Sequence, residues 1–210
     1  MVILSRRHFI AAVLGGSYAV AGAAAPRRTI LVVGDSLSAE YGLKRGEGWV
    51  ALLERRLADR KIPAKVVNAS ISGDTTSGGV ARLPALLAQH RPDIVVIELG
   101  GNDALRGLPL SMPEQNLAHM IEDAKKAGAR PLLVGVEIPA NYGADYANGF
   151  TALFPRVAKA HNVPYVATLF KGMGDGSDAR LFQADRIHPR AEAHPRLLDN
   201  VWAELGKLLK

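Results

Sequence analysis

Three features of the sequence predict an α/β fold, with a parallel sheet held between two layers of helices. Five short apolar runs rich in Val, Ile or Leu recur along the chain, as expected of strands covered on both faces. Amphipathic stretches of helical length separate the runs. No repeat, low-complexity tract or interdomain linker breaks the alternation, so one domain of βαβ units with right-handed crossovers is expected.

The first run, residues 30–33, stops at Gly34, Asp35 and Ser36. A strand feeding a helix ends in turn residues, so "GDSLS" reads as a plain connection or as a serine raised at the sheet edge. The first helix is expected over 49–60, where Trp49, Leu52, Leu53 and Leu57 keep one apolar face. The second run is 65–69, followed by a helix over 79–90. The third run, 94–99, precedes a helix over 113–127, and the fourth, 131–136, precedes one over 145–161. A fifth run at 164–167 and a last helix over 191–209 complete the series. The expected architecture is a three-layer α/β/α sandwich on a five-stranded parallel sheet.

The first 25 residues stand apart. They contain no Asp or Glu, carry Arg6 and Arg7, and run apolar over 9–20 before "AGAAA". A basic start, a short apolar stretch and small residues make a secretory signal peptide, cleaved after Ala25. Gly15, Gly16 and Ser17 interrupt the apolar stretch, which is too short for a comfortable membrane span. "SRRHFI" resembles the twin-arginine export motif, with a Sec signal carrying two arginines as the other reading. The expected domain is then 26–210, periplasmic or secreted, with no stable membrane anchor.

Losing that segment takes Lys+Arg from 26 to 24 against 20 acids, so the formal charge falls from +6 to +4. The remaining cations lie beside acids on helix faces, as in "LERRLADRK", and aromatics are only 6% of the chain, which argues against nucleic-acid binding. With 48% hydrophobic and 22% charged residues the composition is globular. The absence of Cys removes disulfides, thiol catalysis and thiolate metal sites.

Sheets of this kind bind ligands beyond the carboxyl ends of the strands, where strand order reverses. If the order is 2-1-3-4-5, the loops "GDSLS", "NASISGDTTSGG" and "LGGNDALRG" bring Ser36, Gly73 and Asn102 to one edge. Ser36 needs a base to act as a nucleophile. His8 leaves with the signal, while His90, His119 and His161 fall in or at the ends of amphipathic helices. His188 lies instead in "DRIHP", three residues after Asp185 and just before Pro189, which is expected to open the last helix. At that spacing Asp185 can accept the His188 Nδ1–H and turn Nε2 toward the serine; alternatively it caps the final helix. The Ser36 N–H, the Gly73 N–H, where a missing side chain permits close approach, and the Asn102 amide are candidate oxyanion donors. Taken singly, each also reads as a turn former.

"GDSLS", "NASISGDTTSGG", "VVIELGGND" and "DRIHP" resemble the four sequence blocks of the SGNH (GDSL) hydrolase superfamily, in order and at similar spacing. The resemblance implies Ser36 as nucleophile, His188 as base, Asp185 as its partner, and Ser36, Gly73 and Asn102 as the oxyanion hole. "SLSAEYGL", "IPANYGADY" and "LLDNVW" are similar to the bacterial thioesterase I, arylesterase and lysophospholipase branch. This branch usually has Gly where the chain has Arg186, and Asn where it has Arg190.

The activity so implied is hydrolysis of carboxylic esters and acyl thioesters through an acyl-enzyme, by a monomer acting on a small substrate. No metal or organic cofactor is expected, since H-E-x-x-H is absent and "GDGSD" at 174–178 lacks the spacing of a calcium loop. The loop 137–150 follows the fourth run, and in similar enzymes it lines the acyl site, which makes Pro139, Asn141 and Tyr142 substrate-contact candidates. The other readings are a carbohydrate acetylesterase of the same superfamily and a non-catalytic ligand-binding protein of flavodoxin-like topology.

Overall fold

A run such as "TILVVG" can be satisfied only where both faces are covered, and that is where the computed structural model puts it. The structure describes residues 28–138, 142–174, 178 and 180–210; the expected signal at 1–25, Pro139 and Asn141 lie outside them. Strands β1 (Arg28–Gly34), β2 (Ala64–Asn68), β3 (Ile94–Glu98), β4 (Arg130–Val134) and β5 (Tyr165–Val166) pair in parallel in the order β2-β1-β3-β4-β5. This is the 2-1-3-4-5 order, with its switch point between β1 and β3.

Ile30, Leu31, Val32 and Val33 of β1 and Ile94 to Ile97 of β3 are fully buried. Helix α1 (Trp49–Asp59) buries Trp49, Val50, Leu53 and Leu57 and packs beside α6 (His194–Leu208). Helices α2 (Thr76–His90), α4 (Ser111–Lys126) and α5 (Ala144–Ala160) pack in series, α2 against α4 and α4 against α5. Each fully buried Leu in these faces contributes about 1.5–3 kcal/mol.

Apart from shifts of strand ends, the structure departs from the sequence expectation chiefly as follows. Helix α2 starts at Thr76, three residues early, because the Thr75 side chain accepts the Gly78 N–H and caps it. A short helix α3 (Gly101–Leu105) follows β3 directly. Pro189 does not open the last helix: it forms an antiparallel bridge with Phe182, and α6 begins at His194 after a single 3-10 turn.

Candidate active site

Strands β1 and β3 end side by side, Gly34 opposite Glu98, so the turns that follow them start from the same edge. Gly34 has no room for a side chain, because a Cβ there would sit 2.8 Å from Glu98 Oε2 and 2.8 Å from Ser38 Oγ. The glycine therefore lets the chain turn over a buried carboxyl group, with Asp35 and Ser36 next in line. The Ser38 and Ala39 N–H groups close this turn on the Asp35 carbonyl, at 3.2 and 2.9 Å.

The loop after β2 continues along β1, with the Ala69 N–H on the Val32 carbonyl and the Ile71 N–H on the Gly34 carbonyl. Arg82 of α2 fastens it by donating to the Asp74 carboxylate at 2.8 Å and to the Ala69 and Gly34 carbonyls. Gly73 sits at the tip with φ +79, and a Cβ there would meet no protein atom within 4 Å. The left-handed backbone, and not crowding by the protein, is what calls for glycine at this position. Neither the Ser36 nor the Gly73 N–H is used in the hydrogen bonds of the described residues.

Asn102 stands in the first turn of α3. Its neighbour Asp103 is fully buried and accepts the Thr76 N–H at 2.9 Å and the Thr76 hydroxyl at 2.6 Å, which ties α3 to the start of α2. The sequence reading gave Asp103 no role, since nothing local shows that a partner lies 27 residues away.

The loop between β5 and α6 carries the base. Asp185 Oδ1 accepts the Ile187 and His188 N–H groups at 3.0 Å each, and Oδ2 lies 2.7 Å from His188 Nδ1. His188 Nε2 lies 2.8 Å from Ser36 Oγ, across 152 residues of sequence. Burial works against the charged form of Asp185, but these N–H groups and the imidazole outweigh it and bring the acid below its ordinary value. Asp185 caps this turn, not the final helix, whose N-cap is Ala193. Gln183 joins the loop to the one after β1, donating to the Tyr41 and Pro189 carbonyls at 3.0 and 3.1 Å. The Tyr41 ring then lies against the imidazole, centroids 4.4 Å apart.

Arg186 has φ +59, the left-handed conformation that glycine adopts freely. Glycine, which the family resemblance leads one to expect at this position, would adopt it without strain. Its side chain is exposed, and no ion pair of the described residues engages it. The Arg190 N–H bonds the Leu181 carbonyl at 2.7 Å beside the Phe182–Pro189 bridge, and its side chain is exposed.

The ends of these loops open on one cavity of about 250 Å³, which Arg186, Arg190 and Asp185 do not line. Ser36, Gly73, Asn102 and His188 form one wall, and Leu37, Tyr41, Leu105, Ile138, Phe170 and Ile187 supply apolar surface. Tyr142 is exposed and does not reach this lining. Ile138, just before the undescribed residues, does. Tyr41, Phe170 and Ile187 were missed by sequence reasoning; Tyr41, an aromatic five residues past the serine, was the one available signal. A serine hydroxyl so placed can pass its proton to Nε2 while Asp185 holds the imidazole, and an oxyanion can form beside free N–H groups.

The model of the GDSL-like Lipase/Acylhydrolase family matches residues 32–196. Esterase TesA of Pseudomonas aeruginosa is 51% identical over 185 residues, covering 88% of this chain and 91% of its own. Thioesterase 1/protease 1/lysophospholipase L1 of Escherichia coli K12 is 42% identical over 186 residues, covering 89% and 87%. The crystal structure of TesA superposes with a TM-score of 0.83 at 51% identity, covering 86% of this chain and 99% of that one.

Proposed function

The chain belongs to the GDSL-like lipase/acylhydrolase family and is an ester hydrolase, and we propose that it cleaves carboxylic esters and acyl thioesters through an acyl-enzyme on Ser36. The observation that carries this reading is the continuous chain from Asp185 to His188 to Ser36, at 2.7 and 2.8 Å, opening on an apolar cavity.

Ser36 Oγ attacks the acyl carbon and His188 Nε2 takes its proton. The carbonyl oxygen becomes an oxyanion, held by the Ser36 and Gly73 N–H groups and the Asn102 amide. As the tetrahedral intermediate collapses, the bond to the leaving alkoxide or thiolate breaks and His188 returns the proton to it. Water then attacks the acyl-enzyme, with His188 again as base, and releases the carboxylic acid and free Ser36. Asp185 accepts the Nδ1–H throughout, which fixes the tautomer and offsets the imidazolium charge. No step calls for a metal or an organic cofactor. The 2.7 Å bond at Nδ1 and the 2.8 Å bond at Nε2 support these roles.

Apolar walls suit an acyl chain better than a sugar, which would need hydrogen-bonding groups around the acetyl ester. All the proposed catalytic groups come from one chain, in keeping with a monomer acting on a small substrate. Residues 1–25 support export, by the twin-arginine or the Sec route, to the periplasm or beyond. No helix of the described residues is long and apolar enough to cross a membrane. A panel of aryl esters, acyl-CoA thioesters, lysophospholipids and acetylated sugars tests the reading. Turnover of the first three is expected, and turnover confined to acetylated sugars would overturn it.

A further inference from the structure

We propose that Asp35 is a positioning residue for this reaction, whose carboxylate holds the Asn102 amide so that an N–H, and not the carbonyl oxygen, faces the oxyanion. The proposal rests on the assignment of Asn102 to the oxyanion hole. Asp35 immediately precedes the serine and is 2% exposed, yet the mechanism above gives it nothing to do. Each of its oxygens has one donor: Oδ1 accepts the Leu37 N–H at 3.0 Å, and Oδ2 accepts Asn102 Nδ2 at 3.0 Å.

The two ends of an Asn side chain have nearly the same shape and differ only in whether they donate or accept. Nothing steric therefore keeps Asn102 from turning its amide over. Nδ2 carries two hydrogens, of which Asp35 takes one and leaves the other for the cavity that Asn102 lines. Turned over, the amide would set Oδ1 against the Oδ2 of the buried Asp35. Two facing acceptors with no proton between them are costly when buried. The same turn would offer a carbonyl oxygen to the developing oxyanion. An ionised Asp35 thus selects the productive amide.

The surroundings set when Asp35 is ionised. Glu98 of β3 lies beneath it, fully buried, with Oε2 accepting the Ser38 hydroxyl at 2.6 Å, while Ser38 Oγ accepts the Trp49 indole N–H at 3.1 Å. Asp74, paired with Arg82, faces it from the loop before α2, and His188 from the loop before α6. Asp35 is raised to about 6, chiefly by burial and further by Asp74, with the Leu37 and Asn102 donors and the His188 charge offsetting part of the rise. Burial first, then the Asp35 charge, pushes Glu98 well above its ordinary value. Above about pH 6 Asp35 carries its negative charge. Below about pH 6 Asp35 gains a proton, and a carboxyl that donates from Oδ2 favours the turned amide.

Asparagine cannot replace Asp35, because two N–H donors face it and Asn has one oxygen. The test is kcat and KM at pH 8 for Asp35→Asn, made in the parent and in Asn102→Ala, with thermal unfolding to confirm that each variant folds. In the parent the expected fall in kcat is about 10- to 10³-fold, bounded by the loss of one oxyanion donor, with KM within about threefold. In the Asn102→Ala background the same change should cost less than about threefold more, as expected of two residues acting through one contact. Losses that multiply across the two sites, or a rise in KM with kcat unchanged, overturn the proposal. If Asp35→Asn does not fold, the ratio of parent to Asn102→Ala kcat is followed against pH, so that ionisations common to both cancel. That ratio should fall as pH drops through about 6, and a flat ratio overturns the proposal. If Asn102→Ala itself keeps kcat within tenfold, the oxyanion assignment fails first; if it loses activity and Asp35→Asn does not, the Asp35 proposal alone fails.

Discussion

His188 Nε2 stands 2.8 Å from Ser36 Oγ with 152 residues of chain between them. The strand order makes this possible: β1 is an interior strand, between β2 and β3, and the loop before α6 folds back to its carboxyl end. Gln183 then ties the Tyr41 and Pro189 carbonyls together, which fixes one loop against the other.

Asn102→Ala should lower kcat about 10²- to 10³-fold with KM nearly unchanged, because its amide matters once charge has developed on the acyl oxygen. Steady-state kinetics on an aryl ester check this. A raised KM with kcat intact would make Asn102 a substrate-binding group.

Asp185→Asn should lower kcat by about 10²- to 10⁴-fold, since an amide opposite Nδ1 no longer enforces the tautomer. The smaller end of that range is expected, because the Asp185 side chain is 38% exposed and water can partly replace it. A kcat within threefold of the parent would remove Asp185 from the mechanism.

Arg186→Gly should stabilise the fold by about 0.5–1 kcal/mol, the relief of a left-handed Arg less the added freedom of Gly in the unfolded chain. It should change kcat/KM less than about threefold, because the exposed guanidinium can reach water. Urea denaturation and initial rates test both halves. A clear gain in rate would show that the cation acts on the catalytic groups.

Asp35 carries a stability cost with a definite sign. Its folded value is raised, so folding favours the protonated form, and stability falls as pH rises from 3.8 to about 6 and then levels. At about 1.4 kcal/mol for each pKa unit, the cost reaches about 3 kcal/mol above pH 6. Asp35→Asn removes this titration, so its stability relative to the parent should improve by up to that amount between pH 4 and 7. Denaturant melts at several pH values measure the difference. A difference that does not vary with pH would contradict the buried ionised carboxylate.

Strands β1, β3 and β4 were legible because they are buried on both faces and read as nearly unbroken apolar runs; β2, an outer strand, alternates buried and exposed residues, and β5, expected over four residues, pairs over only two. Ser36, Asp185 and His188 were legible as local patterns: a serine in a strand-ending turn and an acid three residues before a histidine. Helix α3 was not, since "GNDAL" carries turn residues and becomes helical because Asp103 is held by Thr76. Asp35 and Glu98 were equally hidden. Polar residues at strand ends read as solvated, and their burial depends on Asn102, Ser38 and Trp49, which only the folded chain brings near.

The central claim, a covalent step on Ser36, is tested most directly by the rate of ester hydrolysis by Ser36→Ala, shown to be folded by its thermal melt. With the hydroxyl gone there is no acyl-enzyme, and kcat/KM should fall on the order of 10⁴-fold or more. A folded Ser36→Ala protein within tenfold of the parent would contradict the account.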